Sequence, residues 1–187
     1  MSRLCFSNGE LATKPSSQRK GHYQGVATTS LTSAVKTKYE ALTAALFPSS
    51  SRPAIYFDEP PATDSAGAQV RPPYVVFSTQ TQETKPLDFE RNNLVTIRLI
   101  LEAFATTLAN VDTVVSAVRF NAALGAGVVG VGAGFDYGSL SDLTTPRSTL
   151  QIVPVGEPRR LADRLDKDGA RVHAARMEWK LTVLELS

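Results

Sequence analysis

Three glycines make the plainest chemical suggestion in this chain: Gly125, Gly127 and Gly130 satisfy the spacing G-x-G-x-x-G. Such a turn cradles a dinucleotide pyrophosphate when a strand enters it and a helix leaves it, because the helix N-terminus then faces the phosphates. Here the order is reversed. A helical pattern precedes the glycines, Val128, Val129 and Val131 follow like a strand, and no acidic residue about 20 positions on closes a βαβ unit. The glycines are therefore expected to form a connector, or a strand in close backbone contact with a neighbour.

The other chemistry-bearing clusters point away from catalysis. Asp163, Asp166 and Asp168 suggest a cation site, but Arg159, Arg160, Arg164, Lys167 and Arg171 interleave with them. A run of mixed sign is either a solvated face or a contact surface that meets complementary charge. Asp58 and Glu59 are adjacent and flanked by prolines, a setting that solvates a loop rather than poising two carboxyls to share a proton. His22 and His173 stand in unrelated contexts, and His173 has no evident partner. With Cys5 as the lone cysteine, neither a zinc site of the His/Cys type nor an internal disulfide can be assembled. No serine lies in a nucleophile-elbow sequence. Trp179 alternates with polar neighbours and is expected in the core. No catalytic set, cofactor or metal is expected.

Bulk properties agree. At 187 residues the chain suits one domain, and 42% apolar with 20% charged residues is ordinary for a globular protein. A formal charge of +2 is too small for a concentrated nucleic-acid face. The uncharged stretch 120–135 is shorter than a span of about 20 residues and carries five glycines, so no membrane segment is expected. The first residues lack the apolar core of a signal peptide.

The elements that must position these residues read as follows. Residues 1–27 are polar and aperiodic, mildly basic through Lys14, Arg19, Lys20 and His22, and are expected to form a flexible arm or one ordered by a partner. Residues 28–187 then form a single α+β domain. Leu31, Val35, Tyr39, Leu42 and Leu46 make the stripe of a helix over 28–47, capped by Thr28, Thr29 or Ser30 and stopped by Pro48. Residues 54–57 and 74–78 read as strands, separated by a proline-bearing loop. A polar connection over 79–93 leads to the clearest alternation in the chain, residues 94–104. A second helix over 111–124 carries Leu108, Val111, Val115, Val118 and Ala122 on one stripe, with Asn110 as N-cap and Arg119 near its C-terminal end.

Residues 149–155 supply a further strand, and the last forty residues read as a long β-hairpin about Asp168-Gly169. A two-residue type I′ turn there sets Lys167 opposite Ala170, Asp166 opposite Arg171, Leu165 opposite Val172 and Arg159 opposite Glu178. A helix from Pro158 capped by Gly169 is the rival pattern. The sum is an α+β fold, a mostly antiparallel sheet packed by two helices, with a long C-terminal β-hairpin.

This order of elements, with the "PYVVF" strand after a first helix and the closing "MEWKLTVLEL" strand, resembles the tail terminator (tail completion) proteins of tailed bacteriophages. The likeness covers about residues 28–187 and is one of order and pattern, without a short motif; the N-terminal extension and the glycine-rich 124–138 segment depart from it. What it implies is a structural virion protein, assembled in the host cytoplasm. Such proteins form a ring, usually of six subunits, that caps the tail tube, ends its growth and joins the neck. The implied partners are further copies of the chain, the tail tube protein and a neck or connector protein. Arg159, Arg160, Arg164, Asp166, Lys167 and Arg171 are then the candidate subunit or tube interface. A head–tail connector of the stopper or adaptor kind is the alternative in the same class, and a small nucleotide-binding enzyme the alternative from another.

Overall fold

The structure, a computed structural model, describes residues 24–48, 51–87, 92–120, 133–136, 140, 147–166 and 168–185. Among them are two helices, α1 (Gln24–Ala44) and α2 (Leu108–Phe120), and seven strands. The strands are β1 (Ala54–Phe57), β2 (Tyr74–Pro86), β3 (Asn93–Ala105), β4 (Arg147–Pro154), β5 (Arg159–Arg160), β6 (Arg164–Leu165) and β7 (Arg171–Glu185). They form one sheet of order β1-β2-β3-β7-β4, with β5 and β6 also pairing β7. Only the β1–β2 pair is parallel. The α+β fold with a mostly antiparallel sheet and two helices is as expected.

Alternation along the strands decides the layering, because a period of two sends every second side chain to the same face. Val95, Ile97, Leu99 and Leu101 of β3 join Met177, Trp179, Leu181 and Val183 of β7 in the main core, with Val75 and Phe77 of β2 and Ile152 of β4. Both helices pack there, α1 through Leu31, Ala34, Val35, Tyr39 and Leu42, α2 through Val114 and Val118. The Tyr39 hydroxyl donates to the Pro53 carbonyl at 2.9 Å, tying α1 to the start of β1. Burial raises the Tyr39 phenol well above its ordinary pKa, so it stays a donor. On the opposite face a smaller cluster, Phe104, Val172 and Ala174 with Tyr74, Val76 and Leu161, sits at one end. Toward the other end that face carries Arg98, Glu178 and Lys180 instead.

Several boundaries differ from expectation. α1 begins at Gln24, inside the segment assigned to the arm, so Thr28, Thr29 and Ser30 lie within it rather than capping it. For α2 the cap is Thr107, whose Oγ1 accepts from the Asn110 amide at 3.3 Å. Asn110 is inside the helix, Leu108 is exposed, and Val114 and Ala117 carry the buried stripe with Val111 and Val118. β2 continues to Pro86 through residues expected as a connection; its polar sequence T-Q-T-Q-E-T-K hid a strand that pairs β3 but buries little.

The C-terminal hairpin is present, with a different turn. Asp166 N donates to Ala170 O at 2.9 Å and Gly169 N to Asp166 O at 3.0 Å, with Gly169 at φ 79°. This is a three-residue loop with glycine in the left-handed position, not a two-residue turn. Asp166 Oδ1 explains the choice, because it accepts from the amides of both Asp168 (2.9 Å) and Ala170 (2.7 Å). The extra residue slips the register: Leu165 faces Arg171 and Arg164 faces Val172. Between Arg160 and Arg164 it slips again, so Arg159 faces Arg176 rather than Glu178. The helical alternative for this segment is excluded, while Lys167 itself lies outside the described residues.

Candidate interaction surface

The six residues proposed as an interface do not behave as one patch. Arg160 forms an ion pair with Asp112 near the start of α2. Arg171 lies 3.4 Å from Asp163, which also holds His173 Nδ1 at 2.8 Å, so the histidine that lacked a partner in the sequence has one. Asp166 is consumed by the turn. Arg159 and Arg164 make no ion pair among the described residues, and Lys167 is outside them. The charged run is thus partly an internal scaffold that ties the hairpin to α2 and shapes its turn.

At the hairpin end the structure adds residues that spacing did not suggest. Arg71, from the loop between β1 and β2, reaches Asp168 at 2.7 Å. Beneath this pair lies an open groove of about 210 Å³ lined by Val70, Pro72, Tyr74 and Leu165 among others. Leu165 is 72% exposed, the most exposed large apolar side chain described. An apolar side chain set among charges, over a concave wall, is the arrangement of an interface anchor with a polar rim. Nothing in the 97-residue separation of Arg71 and Asp168 could have announced the contact.

On the helix-free face of the sheet, Arg98 holds Glu178 through Nε at 3.0 Å and a second bond from Nη2. Arg176 Nε lies 2.8 Å from the other carboxylate oxygen and Nη1 3.8 Å from Glu102. Burial pushes the Glu178 carboxyl up, but the two guanidiniums outweigh it and hold it below the usual carboxylate range. A groove of about 200 Å³ opens beside this chain, lined by Asp58, Val76, Ser78, Gln80, Ile100, Glu102 and Arg176.

A third cluster stands where α2 ends. Arg119 Nε donates to Asp136 Oδ2 at 2.8 Å and Nη1 to Glu157 at 2.6 Å, while Asp136 Oδ1 accepts from Trp179 Nε1 at 2.7 Å. Burial lowers the Arg119 pKa and both carboxylates raise it, with the net shift upward. Phe135 N and Asp136 N donate to the Val118 and Arg119 carbonyls, satisfying acceptors that every helix C-terminus leaves open. The approach is so close that a Cβ on Gly134 would stand 2.0 Å from the Arg119 oxygen. Gly125, Gly127 and Gly130 lie outside the described residues. Lys38 of α1 completes the clamp, donating to Ala133 O at 2.8 Å with its ammonium 5.4 Å from the Phe135 ring centre.

The arrangement holds loops and joins strands. Among the described residues no group of three or more His, Cys, Asp and Glu could hold a metal ion, and no helix is long and apolar enough to cross a membrane. No protein-family model matches the chain, and no curated protein matches it.

Proposed function

We propose that this chain is a structural subunit of a tailed-phage virion, a ring protein that caps the tail tube, ends its polymerisation and joins the tail to the neck. The observation that carries this reading is the hairpin end: an exposed Leu165 beside the Arg71–Asp168 ion pair, over a groove of mixed polar and apolar lining. Such a surface suits docking to another protein. The order α1, β1, β2, β3, α2 and the closing strands also follows the pattern on which the resemblance to tail terminators rests. On this reading the ring has six copies, binds tube protein on one side and neck protein on the other, and carries no cofactor. A stopper or adaptor on the portal side uses the same kind of surface.

Light scattering on the chain alone and mixed with tail tube protein tests the reading. A ring-sized particle in either condition is expected, since free subunits of such proteins need not assemble before docking. A monomer in both would sink it. Co-purification with portal protein in place of tube protein would move the assignment to the connector.

A further inference from the structure

Among the described residues the sheet has two open edges, and they match. β1 covers β2 only at 74–77, so residues 78–86 have no strand beyond them among the described residues. β4 is the last of the described strands at the other side. Following the pairing across the sheet, Thr79 faces Leu99, Leu99 faces Trp179 and Trp179 faces Pro154. At the far end Pro86 faces Asn93, Asn93 faces Glu185 and Glu185 faces Arg147. The open part of β2 and the whole of β4 therefore span the same rungs. Both edges carry a bulge, at Thr81/Glu83 and at Thr149/Gln151, one rung apart, so both bend at nearly the same height.

Strand sense matches as well. β2 is antiparallel to β3, β3 to β7 and β7 to β4, so β2 and β4 run in opposite directions. A second copy set beside the first in the same orientation brings its β4 antiparallel to β2, continuing the alternation without a break. Edge strands present unpaired amides and carbonyls that template addition of another strand. Because the two edges differ, the contact is head-to-tail, the type that closes rings or grows filaments. With equal heights, Gln80 meets Val153, Glu83 meets Gln151, Thr84 meets Thr149 and Lys85 meets Ser148. No like charges fall directly opposite.

We propose that copies of this chain associate by adding β4 of one subunit to residues 78–86 of the next, making a sheet continuous from subunit to subunit. This deepens the ring reading and rests on it only for the closure of the array. The partner is a second copy, because only the chain's own edge is known to have the matching span, sense and bend.

The test uses Gln80→Cys with Val153→Cys in a Cys5→Ser background. Both positions lie on the helix-free face, and Val153 is 39% exposed. Within one chain they are three strand spacings apart, roughly 14 Å, while in the assembly they are neighbours. A short bis-maleimide, able to tolerate a slip of two residues (about 7 Å), should give a ladder of covalent oligomers ending at the ring's copy number. Either single variant should give monomers only. Dimers from Gln80→Cys alone would mean two β2 edges meet about a two-fold axis and would overturn the proposal. So would absent cross-links in particles that light scattering shows to be rings, which leaves the ring reading standing. Monomers alone and with tube protein would overturn both. A second series guards against misplaced cysteines. Gln80→Glu and Val153→Glu together place like charges across the contact, and should abolish assembly with an unchanged melting curve; Gln80→Glu with Val153→Lys should restore it. Assembly indifferent to the double glutamate would count against the pairing.

Discussion

Trp179 shows how one side chain joins packing to polar satisfaction. It is 1% exposed, tilted against Phe135 at 5.3 Å between ring centres, and its indole donates to Asp136, which in turn holds Arg119. The ring fills the core and the N–H fixes the segment that closes α2. The two contributions can be separated. Trp179→Phe keeps most of the volume but leaves a buried carboxylate oxygen short of a donor, at about 1–3 kcal/mol. Trp179→Ala also empties the core, at about 3–5 kcal/mol for a buried aromatic. At roughly 2–4 °C per kcal/mol for a chain of this size, melting curves should rank wild type above Phe above Ala. An unchanged midpoint in both variants would show that neither the ring nor its N–H contributes to the stability of the fold.

At the scale of elements, the hairpin built from β5, β6 and β7 is the part whose charges divide into used and unused. Arg160 and Arg171 have carboxylate partners within the subunit, whereas Arg159 and Arg164 have none among the described residues. Exposed pairs such as Arg160–Asp112 contribute little, about 0–1 kcal/mol, so they orient the hairpin more than they stabilise it. Reversing Arg159 and Arg164 to glutamate should shift stability by no more than about 0.5 kcal/mol each. Docking should nevertheless weaken, and wild-type docking should fall with added salt, since exposed charges are screened over about 8–10 Å near physiological ionic strength. The comparison is tail length and infectivity of particles carrying the double variant, beside its melting curve. Normal particles would mean the hairpin is a solvated face. Arg160 is best left out of this variant because its loss also frees Asp112.

For the molecule as a whole, buried Lys38 and half-buried Glu178 set opposite arms of the pH profile. Burial lowers the Lys38 ammonium from 10.5 to about 8, and the side chain is 8% exposed. Below pH 8 it is charged in both folded and unfolded chains, and folding bears the desolvation. Between 8 and 10.5 the unfolded chain binds the proton and the folded one does not, so this group's contribution makes stability rise with pH. Glu178 acts in the acid arm. Its folded pKa lies below its ordinary value, so its contribution is complete above about pH 4.5 and is lost as pH falls through the folded value. Chemical denaturation across pH, compared with Lys38→Met and Glu178→Gln, should show the alkaline rise missing in the first and a shallower acid loss in the second. Profiles parallel to wild type in both variants would show that neither group titrates differently on folding.

The local patterns of this chain determined which segments would be helix and strand and which faces they would bury, because period and side-chain volume act over a few residues. The Leu31–Tyr39–Leu42 stripe, the β3 alternation and the core position of Trp179 were all legible in this way. The limits of β2 were not, since a polar strand held by backbone bonds to β3 carries no hydrophobic period. The hairpin register escaped for a related reason: one Asp166 carboxylate, bonding two amides, favoured a three-residue loop over the turn that Asp-Gly suggests. The contacts that make a surface came only from tertiary structure. Arg71 meets Asp168, Arg119 meets Asp136 and Glu157, and the two open edges fall on the same rungs because the sheet order brings distant segments together. Charge attracts charge at a few ångströms whatever the separation along the chain, and that distance is set by the fold alone.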